Sequence, residues 1–266
     1  MAARPIVALM TDFGLRDPFV GIMKGVILGI NPSATIVDVC HELDPGDIRS
    51  AAFAFAMAFP YFPAGTIFAA VIDPGVGTRR RAIAADIDGN LVVCPDNGVL
   101  SWVLHNHSLR EAVELSRSEF FLCEVSNTFH GRDVFAPVAA HLSMGVPLEE
   151  LGPRVNDLST FPTPEALAEN ESVQGEVVYV DRFGNLVTSI PREQLEGWRN
   201  ESSGGRVRIQ IGSMEIQGIS ATYGDGPPGR AVAVFGSAGF LEIAVNGGSA
   251  AQLLGAAIGS RVLVYR

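Results

Sequence analysis

The first half of the chain alternates between apolar runs that predict buried strands and segments whose spacing predicts helices. Residues 5–13, 34–43 and 66–73 are predominantly apolar, while residues 17–30 and 47–59 have helical character. Strands that are apolar on both faces belong in a sheet covered by helices, and such sheets are largely parallel. The pattern therefore predicts an α/β domain with a largely parallel, helix-covered sheet.

Three further segments extend this domain. Residues 81–96 predict a hairpin that turns at residues 88–90, residues 119–127 predict another strand, and residues 133–145 predict a helix. Acidic side chains are preferred at the first turn of a helix, where they accept hydrogen bonds from free backbone N–H groups. Three of them precede predicted helices and are expected to cap them: Asp17, Asp47 and Asp133.

The pattern changes after residue 154. Residues 155–173 are polar, contain prolines and show no periodicity, which is typical of an interdomain linker. Residues 174–266 then contain short strand-like runs separated by glycine-rich turns, with brief helical pieces near Glu193 and Ala250. We therefore expect a first domain over residues 1–154 and a smaller all-β, barrel-like domain over residues 174–266.

Composition excludes several classes of function. With 47% hydrophobic residues, 18% charged residues and a net charge of -10, the chain can bury a large core but has no basic surface for nucleic acid. The three cysteines have no CxxC spacing, which argues against a zinc site and favours a reducing, cytoplasmic location. Residues 51–72 carry no charge, but Pro60 and Pro63 interrupt them, so we expect a buried helix and strand there and no membrane association.

Polar residues follow several of the predicted strands. Asp12, Asp73 and Asp96 come after apolar runs, and residues 127–133 precede a helix. Ligands bind beyond the carboxyl ends of the strands in parallel α/β sheets, so we expect these residues at one rim. Asp73 is followed by three arginines at positions 79–81. A carboxylate, an arginine and His130 gathered at one rim would form a reactive polar cluster.

Common cofactor and nucleophile motifs are missing. The sequence has no GxGxxG, because residues 21–29 form a GxxxGxxxG pattern of the kind found on close-packed helix faces. It has neither GxxxxGK[ST] nor GxSxG, which argues against a phosphate-binding loop and against an ester hydrolase with a serine nucleophile. His105 and His107 have no carboxylate pattern beside them, so we expect no metal there.

Six ordered stretches together resemble one family, the S-adenosyl-L-methionine (SAM) hydroxide adenosyltransferases, which form adenosine from SAM and are related to fluorinase and chlorinase. The stretches are residues 11–25, 71–81, 95–100, 128–137, 181–190 and 235–251.

The resemblance implies attack by water or hydroxide at C5′ of SAM, with methionine leaving and adenosine forming. A sulfonium departs as a neutral thioether, so the enzyme has to position and activate a poor nucleophile, without a metal and without a cofactor other than the substrate itself. Asp73, Arg80 and His130 match the family's water-activating trio. In this interpretation Asp73 and His130 hold or deprotonate the water, and Arg80 fixes Asp73.

The resemblance also implies substrate-binding residues. Asp12 is similar to the carboxylate that takes both ribose hydroxyls, and Tyr223 to the aromatic residue that stacks on adenine. Further residues match contacts to the methionine part or the purine: Asp181, Asn185, Ser237, Glu242 and Val245. Ala238 stands where the halogenases have an arginine.

The halogenating relatives carry a tyrosine where this chain has Asp73, together with a small residue in the loop after the His130 position, in an apolar halide pocket. A halide would meet a negative charge here, so the resemblance favours hydrolysis over halogenation. A SAM or adenosine-binding module with negligible turnover, and a SAM-dependent halogenase, are the alternatives. Family members form trimers with each site between two subunits, and we expect a homotrimer here.

Overall fold

A computed structural model describes residues 4–169, 171–200 and 207–266 of the chain. It contains two compact units, Met1–Thr163 and Pro164–Arg266. The division lies within residues 155–173, the predicted linker, and the domain limits 1–154 and 174–266 stay predictions.

The first unit is built on a mixed, mostly parallel sheet with the strand order β2-β1-β3-β5-β4-β6. Its strands are β1 (Ile6–Thr11), β2 (Thr35–Cys40), β3 (Ile67–Val71), β4 (Ala82–Ile87), β5 (Asn90–Pro95) and β6 (Leu109–Glu114). Its α-helices are α1 (Phe19–Ile30), α2 (Ile48–Ala58), α3 (Ser101–Asn106) and α4 (Ala136–Ser143). β1 pairs in parallel with β2 and β3, and β3 with β5, while β4 is antiparallel to its neighbours. The predicted α/β class is confirmed.

Both faces of this sheet are buried, which explains the uninterrupted apolar strands. Val7 and Leu9 of β1 point into a core that includes residues of α1 and α4. Ala8 and Met10 point the other way, into a core that includes residues of α2 and α3. Because successive side chains of a strand alternate between faces, a strand packed on both sides needs apolar residues at every position.

Several local predictions are confirmed. β4 and β5 form the predicted antiparallel hairpin, and Asp88 and Gly89 at its turn both have positive φ, as a tight two-residue hairpin turn requires. Asp47 caps α2 by accepting a hydrogen bond from Ser50 N over 3.0 Å. Residues 51–72 form the predicted helix and strand, joined by a short turn.

Among the residues that the structure describes, no helix is both long enough and apolar enough to cross a membrane.

The predicted cap of α1 is wrong. Pro18, not Asp17, stands immediately before the first helical residue, and no side chain caps this end. The Pro18 carbonyl accepts the hydrogen bond from Ile22 N, so the proline itself starts the helical pattern. Asp17 is exposed one residue upstream.

The predicted strand over residues 119–127 and the predicted N-cap at Asp133 are also wrong. Ser118–Phe120 form a short 3-10 turn, and the sheet edge is β6 instead. The backbone of residues 119–127 bonds to Asp133 rather than to a strand, since Leu122 N donates to the Asp133 carbonyl and Ser126 N to its side chain. Asp133 is fully buried within a π-helical turn, Gly131–Phe135, that leads into α4.

The second unit is an antiparallel, nearly closed barrel, as predicted. The order along its sheet is β11-β10-β14-β8-β9-β13-β12, with β7 paired to β8. A bridge between Ser220 and Val234 joins the segment after β11 to β12. The strands are β7 (Leu167–Ala168), β8 (Ser172–Val180), β9 (Leu186–Pro191), β10 (Arg208–Ile211), β11 (Met214–Gln217), β12 (Ala231–Phe235), β13 (Phe240–Val245) and β14 (Arg261–Tyr265); the helices are α5 (Arg192–Asn200) and α6 (Ala250–Leu254).

A glycine contact joins two loops at the carboxyl edge of the first sheet. Gly77, in the loop after β3, has φ +74°, and a Cβ at this position would lie 2.2 Å from the carbonyl oxygen of Asn127. Real Cβ atoms do not approach so closely, so the loop after β3 and the loop before the π-helical turn fit together only with glycine here.

We expect Gly77→Ala to destabilise the protein by more than backbone strain alone, because the new methyl group must push the two loops apart. Gly65→Ala is the matched control: Gly65 has φ +83°, but a Cβ there meets nothing within 4 Å. Urea unfolding should place Gly77→Ala at least ~1 kcal/mol below Gly65→Ala. Equal stabilities of the two variants would show that the contact with Asn127 has no energetic weight.

Candidate active site

The structure brings Asp73, Arg80 and His130 into direct contact. Arg80 Nε donates to Asp73 Oδ1 over 2.9 Å and lies 3.1 Å from Oδ2, and its Nη2 donates to Oδ2 at short range. The same Nη2 lies 2.7 Å from His130 Nδ1. The carboxylate and guanidinium are well buried, with 5% and 12% of their side-chain surfaces exposed. One arginine therefore connects the predicted acid to the predicted imidazole.

This contact determines the protonation of His130. Arginine has no acceptor, so Nδ1 of His130 must accept from Nη2 and cannot carry a proton. The imidazole is then neutral with its hydrogen on Nε2. Burial, followed by the charge of Arg80, lowers the pKa of His130 from its ordinary value, and the negative charges of Asp73 and Asp133, together with a hydrogen bond to the backbone of Ser126, oppose the shift only in part. His130 can thus donate a hydrogen bond from Nε2 at neutral pH.

Asp73 and His130 face a cavity of about 520 Å³, whereas Arg80 lies behind them and does not line it. Asp73 and His130 are polar groups in a wall that is otherwise mainly apolar, formed by Phe13, Phe19, Val71, Val76 and Phe129 together with Ser126, Thr128, Gly131 and Arg132. The volume is within the range of small-molecule sites, which are mostly apolar with a few placed polar groups. The cavity can hold a ligand of nucleoside size beside Asp73 and His130.

Asp133 holds the loop that carries His130. Its Oδ2 accepts from both the backbone N and the hydroxyl of Ser126, over 2.9 and 2.7 Å, and the hydroxyl oxygen of Ser126 accepts from Phe129 N. Arg132 Nε donates to Asp133 Oδ1 over 2.5 Å and balances the buried charge. π-Helical turns are often found at functional sites, and this one directly follows His130.

Asp12 lies at the end of the strand next to β3. Thr11 is paired with Val71 in the parallel register, so Asp12 and Asp73 leave the sheet at the same edge. Asp12 Oδ2 accepts from Gly46 N over 2.7 Å. Asp12 itself is not among the residues that line the cavity, although the next residue, Phe13, is. Within the part of the chain that the structure describes, Oδ1 of Asp12 has no hydrogen-bond partner, so it can accept hydrogen bonds from a ligand.

Asp96 belongs to a different network, although it follows a strand of the same sheet. Its Oδ2 accepts from Arg81 Nε over 2.9 Å, and its Oδ1 accepts from Ser159 N over 2.7 Å. Arg81 also donates to Asp157. Asp96 therefore fastens residues 157–159 to the strand end, and it is not among the residues that line the cavity.

In the second unit, Asp181 and Asn185 bind each other. Asp181 Oδ1 accepts from the backbone N of Phe183 and of Asn185 over 2.9 and 2.8 Å, and Oδ2 accepts from Asn185 Nδ2 over 2.8 Å. The Asp181 carboxylate thus organises the turn between β8 and β9. Phe183 in this turn is 77% exposed.

Tyr223 and Glu242 form a second pair in this unit. The Tyr223 hydroxyl donates to Glu242 Oε2 over 2.7 Å. Burial raises the pKa of Glu242; the hydrogen bond from Tyr223 opposes this shift, and the charge of Asp181 adds to it. Burial and the bond to Glu242 raise the pKa of Tyr223 to about 12, which keeps its hydroxyl a donor. Ser237 is exposed in the turn after β12, whereas the Val245 side chain lies in the barrel core.

The sequence interpretation missed several residues of the first-unit cavity. Phe13, Phe19 and Phe129 pack edge to face with ring centroids 5.2–6.0 Å apart, and only their three-dimensional proximity reveals this cluster. Asp133 stands near the start of a predicted helix, and this position indicated a helix cap rather than a support for the loop that carries His130. Within residues 4–169, 171–200 and 207–266, no group of three or more His, Cys, Asp and Glu side chains is arranged to hold a metal ion.

Comparison with known proteins connects this geometry to a family. Residues 7–152 match the SAM hydroxide adenosyltransferase N-terminal domain and residues 175–263 match its C-terminal domain. A Thermus thermophilus protein named (R)-S-adenosyl-L-methionine hydrolase is 42% identical over 259 residues, 95% of this chain and 96% of the relative. A Nocardia brasiliensis fluorinase is 34% identical over 280 residues, 93% of this chain and 92% of the relative.

A solved structure gives the same result for the fold. An uncharacterized conserved protein from Thermotoga maritima superposes with a TM-score of 0.91 at 41% identity, covering 98% of this chain and all of the other. Both family domains match in order, and together they span most of the sequence. The chain belongs to the SAM hydroxide adenosyltransferase family.

Proposed function

We propose that this protein hydrolyses SAM to adenosine and L-methionine. The observation that carries the proposal is the single contact system in which Arg80 binds both Asp73 and His130 at the wall of a nucleoside-sized cavity. Full-length relatives at about 40% identity are named (R)-S-adenosyl-L-methionine hydrolase, which supports the same substrate. Because L already specifies the methionine carbon, the (R) in those names describes the sulfonium, so both sulfur epimers have to be tested.

In the proposed reaction a water oxygen forms a bond to C5′ while the C5′–S bond breaks, and the electron pair of that bond goes to sulfur, giving neutral methionine thioether. One proton of the water must be lost. His130 has its Nδ1 occupied by Arg80 and its hydrogen on Nε2, so it orients the water oxygen as a donor. The carboxylate of Asp73 has lone pairs beyond those bound by Arg80 and accepts the proton. The reaction needs no cofactor, because SAM is the substrate.

The ribose and the remainder of SAM are bound by the other predicted residues. Asp12, with Oδ1 available, accepts hydrogen bonds from the ribose hydroxyls. The second unit supplies the residues predicted to contact the methionine part and the purine: Asp181, Asn185, Tyr223, Ser237, Glu242 and Val245. The three cysteines are free, which supports a reducing, cytoplasmic location.

The protein should be incubated with each SAM epimer separately and the products resolved by chromatography. An epimer that is hydrolysed should give adenosine and methionine in equal amounts. Asp73→Asn should lower the rate at least ~10²-fold while adenosine binding by calorimetry is retained, because the variant loses the proton acceptor. Asp96→Asn is the matched control, since it also removes a buried carboxylate from an arginine but not from the cavity wall, and it should keep the rate. Adenosine binding without turnover in the wild type would identify a binding module, and 5′-halo-adenosine formed in chloride would identify a halogenase.

The pH profile should show an acid limb due to His130. Its ordinary pKa is 6.5 and its pKa in the folded protein is lower, so the neutral imidazole required by Arg80 is present above pH 6.5 and is lost as the pH falls through the lowered value. The contribution of neutral His130 to the free energy of unfolding is lost over the same pH range, as the pH falls from 6.5 through the lowered pKa. In His130→Asn, whose amide oxygen can accept from Arg80 but does not titrate, the residual rate should lack this limb. An unchanged limb would assign it to another group.

We further propose a homotrimer in which each site is shared between two subunits, as the family resemblance implies. The predicted residues divide between the two compact units, which supports sharing. Helix α1 also exposes three large apolar side chains, Phe19, Ile22 and Leu28. Its three glycines, Gly21, Gly25 and Gly29, have open space where a Cβ would lie. An exposed apolar helix face of this kind is suited to contact with another subunit.

Sedimentation should give the mass of three chains, and a complementation test should show the sharing. Asp73→Asn and Asn185→Ala should each be inactive alone, because they alter different units. Mixed trimers refolded from both should recover part of the wild-type rate, since some sites then combine two unaltered units. Verified mixed trimers without activity would place both residues in a site made by one subunit.

A further inference from the structure

A buried hydrogen-bonded chain runs from the end of β1 towards the surface. Thr11 Oγ1 lies 2.8 Å from His41 Nδ1, and His41 Nε2 lies 3.1 Å from Asp38 Oδ1. Lys24 Nζ donates to Asp38 Oδ2 over 2.7 Å. Thr11 is fully buried and His41 is 4% exposed, whereas Lys24 and Asp38 reach solvent. The reaction proposed above uses none of these four residues.

The direction of each hydrogen bond follows from the groups present. Thr11 Oγ1 accepts from Phe13 N over 3.3 Å, and its hydroxyl hydrogen, buried from water, needs an acceptor. His41 Nδ1 is that acceptor, so the imidazole carries its hydrogen on Nε2 and donates to Asp38. Thr11, His41 and Asp38 then each have a hydrogen-bond partner within the network.

Threonine, histidine and aspartate in this order contain the groups of a hydrolytic triad, but the geometry excludes a nucleophile. Thr11 has no exposed surface and does not line the cavity. A substrate therefore cannot reach its hydroxyl oxygen. The network must act through the residues that it holds.

What it holds is the loop that contains Asp12. Thr11 binds Phe13 N, on the other side of Asp12 in sequence. The His41 carbonyl accepts from Gly14 N over 2.7 Å, where Gly14 has φ +67°. His41 thus fixes the backbone on both sides of Asp12, once through Thr11 and once directly.

The segment that follows His41 completes the support. Glu42 Oε1 accepts from Leu15 N over 3.0 Å, and Gly46 N donates to Asp12 Oδ2. Asp12 therefore has its backbone and one carboxylate oxygen fixed, with Oδ1 left for a ligand. Displacement of such a group by about 1 Å is enough to lose most of its binding effect.

We propose that Thr11 and His41 are positioning residues that orient the Asp12 carboxylate towards the 2′ and 3′ hydroxyls of the nucleoside. They set the preference for a ligand that carries both hydroxyls, although neither residue touches it. The inference rests on the ribose-binding role of Asp12 in the proposed function. It predicts that changes in the buried network lower the affinity for a nucleoside only when the nucleoside carries the 2′ and 3′ hydroxyls.

Calorimetry with adenosine and with 2′,3′-dideoxyadenosine measures this coupling without turnover. Thr11→Val, which removes only the hydroxyl, should weaken adenosine binding ~10-fold and dideoxyadenosine binding less than ~2-fold, because the second ligand has nothing for Asp12 to bind. Thr11→Ser keeps the hydroxyl and should restore the adenosine affinity. Asp12→Asn should lower the preference for adenosine in the same way.

Thr66→Val is the matched control for general loosening. Thr66 is 1% exposed in the same unit, and its hydroxyl donates to the Pro63 carbonyl over 2.7 Å. This variant should lose stability and keep both affinities. His41→Phe and His41→Asn form a second pair if Thr11→Val does not fold. The asparagine oxygen can replace Nδ1 as acceptor for Thr11 and should preserve the adenosine preference, whereas phenylalanine should not.

Three outcomes would overturn the inference. An unchanged adenosine affinity in Thr11→Val would show that the network does not position Asp12. If Thr11→Val lowered the affinities for adenosine and dideoxyadenosine equally, the network would stabilise the site in general and would not orient Asp12. If the wild type bound adenosine no better than dideoxyadenosine, the ribose role of Asp12 in the proposed function would fail together with this inference.

Discussion

The chemistry proposed for the first-unit cavity depends on one guanidinium with two partners. Arg80 binds the Asp73 carboxylate with two of its nitrogens and reaches the His130 imidazole with one of them. A carboxylate as deeply buried as Asp73 would destabilise the fold by about 3–5 kcal/mol if its partner were removed. The same arginine fixes the tautomer of His130. Lysine could not replace it, because a point charge lacks the planar set of donors that serves both groups.

The loops around Arg80 are held by contacts that have no chemical role. Gly77 lets the loop after β3 approach Asn127, and Asp133 ties Ser126 to the start of the π-helical turn. Asp73 and His130 stand on these two loops, so their separation is set by contacts a few residues away. Rigid loops keep Asp73 and His130 in place relative to a bound substrate. This suits the proposed reaction, which depends more on positioning than on acid catalysis.

Much of the fold followed from the sequence because the strands are buried on both faces, and an apolar run in such a strand has few alternatives. The hairpin over residues 81–96 was predictable for a local reason, the residues at its turn. Residues 119–127 looked equally strand-like, but their backbone binds Asp133 instead of a neighbouring strand. Only the three-dimensional structure reveals this competition, because a local pattern does not show which partner a backbone N–H group finds.

The candidate site was predictable to a similar degree. The rule that ligands lie beyond strand ends placed Asp12 and Asp73 at one edge correctly. It could not separate them from Asp96, which follows a strand of the same sheet but is held by Arg81 and Ser159 N. Arg80 and Arg81 are adjacent in sequence yet bind different acids, and a run of arginines alone does not tell which one serves the site. The roles of the individual site residues stay predictions.

The neutral Asp73–Arg80 pair also bears on the choice between water and a halide. Because the two charges nearly cancel at a distance, long-range repulsion of an anion from the cavity is weak. Discrimination must therefore be local: a carboxylate oxygen at the cavity wall accepts a hydrogen from water, whereas a halide has none to donate. Neutral His130 donates from Nε2 and would suit either nucleophile. In the proposed reaction, the preference for water over a halide therefore rests on the lone pairs of Asp73 and not on the net charge of the cavity.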